Sequence, residues 1–181
     1  MSKFDRRNFI KKTSLTAAFA SSYAFSSEKL RKNDQKYMGD FSAPKLKKIK
    51  AAFLGVGYRG KGHLKLFASL PGTEVVGISD LYEDNIQKSN KILEDMNIST
   101  EIIKTYWGDD QKWKIMLNEV KPDIVFISTD WNSHGKMAVE SMKNGAHAFV
   151  EVPLAMTIKQ LWEIVDTSEK YKKHCKALYC I

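Results

Sequence analysis

Six residues, Gly55-Val56-Gly57-Tyr58-Arg59-Gly60, constrain this chain more than any other stretch. Glycine at the first, third and sixth positions is the spacing of a loop that leaves a buried strand and enters a helix while wrapping a phosphate. The pattern is weak alone, so its surroundings matter. Residues 49–54 form a short apolar run before it, and Leu64, Phe67 and Leu70 recur at helical spacing after it. In that context Gly55 permits the tight turn, Gly57 lets the backbone approach a pyrophosphate, and Gly60 lets the helix pack near the strand. The helix start supplies unpaired N–H groups and positive potential. The same fold unit requires an acid about twenty positions on, after the next strand. Asp80 stands there, directly after residues 73–79. Its carboxylate suits ribose hydroxyls and repels a 2′-phosphate, and Leu81 and Tyr82 beside it carry no cation. The pattern therefore favours NAD over NADP. Asp80 as a helix cap and Arg59 as a solvated helix charge are the plainer alternatives.

The rest of the chain repeats the alternation. Strands are expected at 101–106, 124–128, 147–150 and 177–181. Helices are expected at 60–70, 83–96, 110–120, 132–144 and 157–172. Trp113, Met116 and Leu117 mark one inner face, and Leu161, Ile164, Val165 and Ser168 another. Trp113 and Trp162 read as packing residues, and His63, His147 and His174 as ordinary helix, strand-start and loop residues. Alternating strands and helices with continuous apolar strands predict an α/β fold: a doubly wound parallel sheet, covered on both faces, of the Rossmann type.

Ligands of such a sheet sit beyond the carboxyl ends of its strands. Two clusters fall there. Trp131, Asn132, Ser133 and His134 follow the fourth strand, with Trp131 and His134 spaced to share a helix face. Asn132 or Ser133 can equally cap that helix, and His134 taken alone reads as a helix-start packing residue. Glu151 and Val152 follow the fifth strand, and Pro153 biases Val152 toward an extended conformation. A carboxylate at this edge suits the nicotinamide ribose; as an alternative, Glu151 is an ordinary loop charge.

The charge is uneven. Of 29 Lys/Arg and 21 Asp/Glu, 13 basic and 4 acidic residues lie in the first fifty, leaving 16 and 17 for the remainder. The globular part is near neutral, which excludes a basic nucleic-acid face. The basic excess accompanies a leader at 1–24. Asp5-Arg6-Arg7-Asn8-Phe9-Ile10-Lys11 resembles the twin-arginine export motif, and a short apolar stretch with an A-x-A-like site at Ala18-Phe19-Ala20 follows. The chain is expected to use the twin-arginine export machinery and reach the periplasm, with no stable membrane anchor. Residues 25–47 read as a linker, and 48–181 as the nucleotide-binding domain. Cys175 and Cys180 are too few and too poorly accompanied for a disulfide framework or a zinc site. They read as small strand fillers.

Taken together, GVGYRG with the following His63, Asp80, the W-x-x-H segment and Glu151-Val152-Pro153 resemble the glucose–fructose oxidoreductase / inositol dehydrogenase / rhizopine-catabolism (Gfo/Idh/MocA) family. Within it, the set is most similar to glycoside hydrolase family 109. Most Gfo/Idh/MocA members carry E-K-P with a catalytic lysine where Val152 stands here. The resemblance implies an NAD-dependent α-N-acetylgalactosaminidase acting on a small-molecule glycoside. In that scheme a sugar hydroxyl at C3 is transiently oxidised, the adjacent C–H is acidified, the aglycone is eliminated, water adds and the hydride returns. The flanking carboxylate pair of ordinary glycosidases is then not expected. By position it implies Tyr58 and Arg59 at the pyrophosphate loop and Asp80 at the adenosine ribose. It implies Trp131, Asn132, Ser133 and His134 along the cofactor rim, and Glu151 and Val152 near the nicotinamide. Family members continue into an E-N-x-x-Y-like strand and a second, substrate-binding domain. Here residues 175–181 end the sequence instead, so a C-terminal truncation is expected, by frameshift, early stop or gene-model error. A related NAD-dependent sugar dehydrogenase, disfavoured by Val152, and a non-catalytic nucleotide-binding remnant are the competing readings.

Overall fold

The computed structural model describes residues 38–179. The expected leader, the first part of the linker, and Cys180 and Ile181 lie outside the described residues. The chain runs β1 (Ile49–Leu54), α1 (Tyr58–Ala68), β2 (Thr73–Ser79), α2 (Glu83–Asp95), β3 (Lys104–Tyr106) and α3 (Lys112–Val120). It continues through β4 (Ile124–Ile127), α4 (Trp131–Lys143), β5 (His147–Glu151), α5 (Ile158–Tyr171) and β6 (Cys175–Leu178). The strands form one parallel sheet in the order β3-β2-β1-β4-β5-β6. The chain winds outward from β1 to β3, then returns to the other side of β1 with β4. That is the doubly wound arrangement the alternation predicts.

Successive strand residues point to opposite faces, so apolar residues at both positions fill two cores. Ala51 and Phe53 of β1 join Leu64 and Phe67 of α1 and Ile86 and Leu93 of α2. Ala52 and Leu54 join Met116 and Leu117 of α3 and Ala138 and Met142 of α4. The first face also carries an aromatic row across three strands. Phe126 stacks on Phe53 at 4.8 Å and on Phe149 at 5.4 Å.

Local chemistry sets the element ends. Asp130 caps α4 by accepting from the Asn132 N–H at 3.0 Å. Thr157 and Gln160 form a reciprocal capping box at the start of α5. Lys121 and Lys172 end α3 and α5 in the left-handed region, with φ of 42° and 53°.

Several boundaries differ from the sequence expectation. The third strand is confined to Lys104–Tyr106, and Leu70 lies past α1, half exposed. On α5 the buried residues are Ile164, Thr167 and Glu169, whereas Leu161 and Trp162 are exposed. This helix packs mainly on α4, so only a narrow stripe of it is covered. Trp113 is buried as expected. Burial pushes the Cys175 thiol up to about 12.

The amino ends of the strands form a hydrogen-bonded base. The Lys50 N–H donates to Asp123 Oδ2 at 2.9 Å, and the His147 N–H donates to the Asp123 carbonyl at 2.8 Å. The His174 N–H donates to His147 Nδ1 at 2.8 Å, and Phe41 packs on the His174 ring. The end of the expected linker thus folds against the domain. His147 and His174 do more there than their plain positions suggested.

Candidate functional site

The sheet order reverses between β1 and β4, and the two loops leaving those strands meet. The Ser128 N–H donates to the Leu54 carbonyl and the Gly55 N–H to the Ser79 carbonyl, each at 2.8 Å. Beyond them opens a cavity of about 490 Å³, lined among others by Gly55, Gly57, Asp80, Ser128, Thr129 and Ser133. This volume lies within the usual range for small-molecule sites, and its place is the switch point of a doubly wound sheet.

Each glycine of the loop has a distinct reason. Gly55 holds φ +79°, and a Cβ there would stand 2.7 Å from the Ser128 carbonyl oxygen. A Cβ on Gly60 would stand 2.0 Å from the Gly55 carbonyl oxygen, so no side chain fits under the turn. A Cβ on Gly57 meets nothing within 4 Å. It would project into open space where the backbone is meant to be approached. Gly57 starts α1 with no side-chain cap and no acid in the first turn, whereas α4 and α5 are capped. Tyr58 and Arg59 are exposed at this end of the helix.

Asp80 faces the same cavity and is held from three sides. The Val56 N–H donates to Oδ2 at 2.8 Å; the Tyr82 N–H and the Asn85 amide donate to Oδ1 at 2.9 and 3.1 Å. The acid and the glycine loop, 24 residues apart, are thus one unit. Asp80 is not the α2 cap, because Tyr82 occupies that position without a side-chain bond.

The cluster after β4 divides. Trp131 is 59% exposed and His134 is 1% exposed, so their expected common face does not exist. The cavity instead takes Asp130, Ser133, Lys136 and Met137, the face rotated by one residue. Asn132 is exposed. Asp130, not Asn132 or Ser133, caps the helix, and Ser133 Oγ donates to its carboxylate at 2.5 Å. That hydroxyl, followed by the backbone N–H groups, holds the Asp130 carboxyl below the ordinary carboxylate range. His134 faces the Pro153 carbonyl through Nδ1 at 2.8 Å and the Thr129 carbonyl through Nε2 at 3.2 Å. A carbonyl only accepts, so at the shorter contact Nδ1 carries an N–H.

Glu151 is the last residue of β5 and is buried, not a loop charge. Its Oε1 lies 2.6 Å from His63 Nε2 of α1. Val152 follows, exposed and joined to Pro153 by a cis peptide. Thus Gly55, Gly57, Asp80 and Ser133 share the cavity. Tyr58, Arg59 and Gly60 follow the lining residue Gly57 along the chain but do not line the cavity themselves. Trp131, Asn132, His134, Glu151 and Val152 do not line it.

The residues present fit a dinucleotide. Ser128 Oγ is buried without a partner at the cavity wall, an arrangement that a ligand acceptor relieves. The open flank of Gly57 and the uncapped α1 suit the pyrophosphate, and Asp80 suits a ribose. Sequence reasoning missed Asp109, Asp110 and Lys136 in the lining and the partnership of His63. Asp109 and Asp110 follow β3, so the carboxyl-end rule applied to that short strand points to them. Among the described residues no group of His, Cys, Asp or Glu is placed to hold a metal, and no helix is long and apolar enough to cross a membrane.

Residues 49–179 match the family described as oxidoreductase family, NAD-binding Rossmann fold, of the Gfo/Idh/MocA group. The chain is 49% identical over 146 residues to glycosyl hydrolase family 109 protein 2 of Akkermansia muciniphila, covering 80% of this chain and 30% of that protein. It is 38% identical over 179 residues to a glycosyl hydrolase family 109 protein of Shewanella pealeana, covering 96% of this chain and 39% of that protein. It therefore spans between about three tenths and two fifths of these relatives. Apo scyllo-inositol dehydrogenase of Lactobacillus casei has the same fold: TM-score 0.62, 18% identity, covering 74% of this chain and 37% of that one. So does myo-inositol 2-dehydrogenase of Lactobacillus plantarum: TM-score 0.61, 20% identity, 73% and 36% covered. With its glycine loop, acid and switch-point cavity in one place, and with the family matched across most of its length, the chain belongs to the Gfo/Idh/MocA oxidoreductase family and forms its NAD-binding Rossmann domain.

Proposed function

We propose that this chain is the NAD-binding portion of a family 109-type α-N-acetylgalactosaminidase that works through transient oxidation of its sugar. The observation that carries the reading is the shared cavity of Gly55, Gly57, Asp80 and Ser128, in a chain 49% identical to a family 109 protein. Bound NAD supplies a reversible hydride acceptor. The chain's own residues bind and orient it. The loop amides and the start of α1 hold the pyrophosphate, with Arg59 beside it. Asp80, fixed by Val56 and Tyr82, takes the adenosine ribose hydroxyls and repels a 2′-phosphate. Ser133 and Thr129 line the cavity, His134 packs against Pro153 beside it, and Glu151 and Val152, beyond its lining at the end of β5, are assigned to the nicotinamide side. The exposed apolar Val152 stands where a dehydrogenase of this family keeps its catalytic lysine, which disfavours net sugar oxidation.

Titration of the chain with NAD and with NADP tests the cofactor assignment. NAD is expected to bind, and to bind more tightly. Equal affinity removes Asp80 from its role. The glycosidase part is tested in a chimera carrying residues 49–179 in place of the matching segment of the Akkermansia muciniphila protein. NAD-dependent release of nitrophenol from its α-N-acetylgalactosaminide supports the reading. Accumulation of NADH without aglycone release favours the dehydrogenase. We also propose 1–24 as a twin-arginine leader for periplasmic export, 25–47 as linker and 48–181 as the domain. Arg6→Lys with Arg7→Lys is expected to keep the protein in the cytoplasm, and an unchanged distribution refutes the export route.

A further inference from the structure

Two histidines connect clusters that are far apart in sequence. His134 of α4 grips Pro153 just beyond β5. His63 of α1 reaches Glu151 at the end of β5, 88 residues away, with side chains only 16% and 11% exposed. A carboxylate only accepts, so the Nε2 of His63 carries the shared proton. The imidazole lies over Phe126 at 6.1 Å and 22°, and Phe126 is itself stacked between Phe53 and Phe149. The ring is therefore held from below by the aromatic row and at its tip by the carboxylate. Helix α1 begins in the glycine loop, and Glu151 precedes the exposed Val152.

We infer that His63 is a positioning residue: it fixes the Glu151 carboxylate and the end of β5, and so sets the part of the rim that receives the nicotinamide half of the cofactor. The inference rests on the NAD reading above. The adenosine half is governed elsewhere. Asp80 is held by Val56, Tyr82 and Asn85, and these bonds involve neither His63 nor Glu151. A group acting through Glu151 must then distinguish NAD from ADP, which lacks the nicotinamide riboside. A group that merely stabilises α1 affects both.

Calorimetric titration of the full chain with NAD and with ADP makes the distinction. His63→Ala is expected to weaken NAD about tenfold, the scale of one charge-assisted hydrogen bond, with ADP affinity changed less than about twofold. His63→Gln, whose amide N–H replaces the Nε2 donor, is expected to restore most of the NAD affinity. Loss of both probes in parallel, or an unchanged NAD affinity, overturns the inference. Glu151→Gln provides the same split should His63→Ala fail to fold, and parallel loss there overturns it equally. A parent chain that binds ADP and NAD alike also overturns it while leaving the adenosine site standing. A parent chain that binds neither overturns the cofactor reading and this inference with it.

Discussion

At each end of β1 an aspartate accepts a backbone N–H, and the two aspartates border different surfaces. At the carboxyl end Asp80 takes the Val56 N–H at 2.8 Å; at the amino end Asp123 takes the Lys50 N–H at 2.9 Å. Asp80 also faces a cavity of about 490 Å³ beside an uncapped helix start. Asp123 instead joins a base where the preceding chain, His147 and His174 pack together, over a smaller cavity of about 360 Å³. The same local bond therefore braces a ligand loop at one end and a structural closure at the other. The difference lies in direction. A parallel sheet sends its helix N-termini, with their unpaired N–H groups, to the carboxyl ends of the strands. The amino ends receive helix C-termini and loop carbonyls, which do not attract an anion.

The comparison can be broken most severely under the loop. Gly60→Ala places a methyl 2.0 Å from the Gly55 carbonyl, so the turn must move. A stability loss of about 1–3 kcal/mol is expected by denaturant titration, with NAD binding lost in calorimetry. Retained affinity would show that the loop is not the phosphate cradle. The two aspartates form the next pair. Asp80→Ala and Asp123→Ala are each expected to cost about 1–3 kcal/mol of stability. Only the first should weaken NAD, by about tenfold or more. Weakening by both would erase the functional distinction between the ends.

A smaller effect is pH-dependent and belongs to the base. Burial, with Lys173 and His174 nearby and Asp123 opposing, keeps the pKa of His147 below its ordinary 6.5. The unfolded chain therefore takes up this proton at a higher pH than the folded one. The contribution is complete above about pH 6.5 and is lost as pH falls from there through the folded value, with a slope of at most about 1.4 kcal/mol per pH unit. Denaturation midpoints measured from pH 7.5 down to 5 should show a steeper fall in the parent than in His147→Gln. Parallel curves would detach the base from His147 titration. Smallest of all, Lys88→Ala removes an exposed pair with Asp84. It should shift stability by no more than about 0.5 kcal/mol and leave NAD binding unchanged.

The sheet was legible because both positions of each inner strand are apolar. Residues 49–54, 73–79 and 124–128 read as buried strands whatever packs on them. The reading slipped where that signal thinned: at the bounds of β3, which is short and lies at the sheet edge, and on the inner face of α5, which is covered along one stripe only. The glycine loop and Asp80 were legible for a different reason. Their spacing is set by one βαβ unit, so short-range geometry already brings them together. The rim after β4 was read one residue out of phase. Trp131 and His134 are correctly spaced for a shared face, but only the orientation of α4 against β4 and α5 decides which face turns to the cavity. It turned Asp130, Ser133 and Met137 inward and buried His134 against Pro153.

By itself the sequence determined the doubly wound α/β order, the turn that only glycine fits, and the acid that accompanies it. These follow from local sterics, apolar periodicity and separations within a single βαβ unit. The tertiary structure alone decided that His63 meets Glu151 across 88 residues, that Ser128 Oγ is left without a partner at the switch point, and that His147 helps to close the base. Such meetings depend on how helices rotate and where parallel strands end. No residue carries that information in its own neighbourhood; it exists only once the two cores have packed.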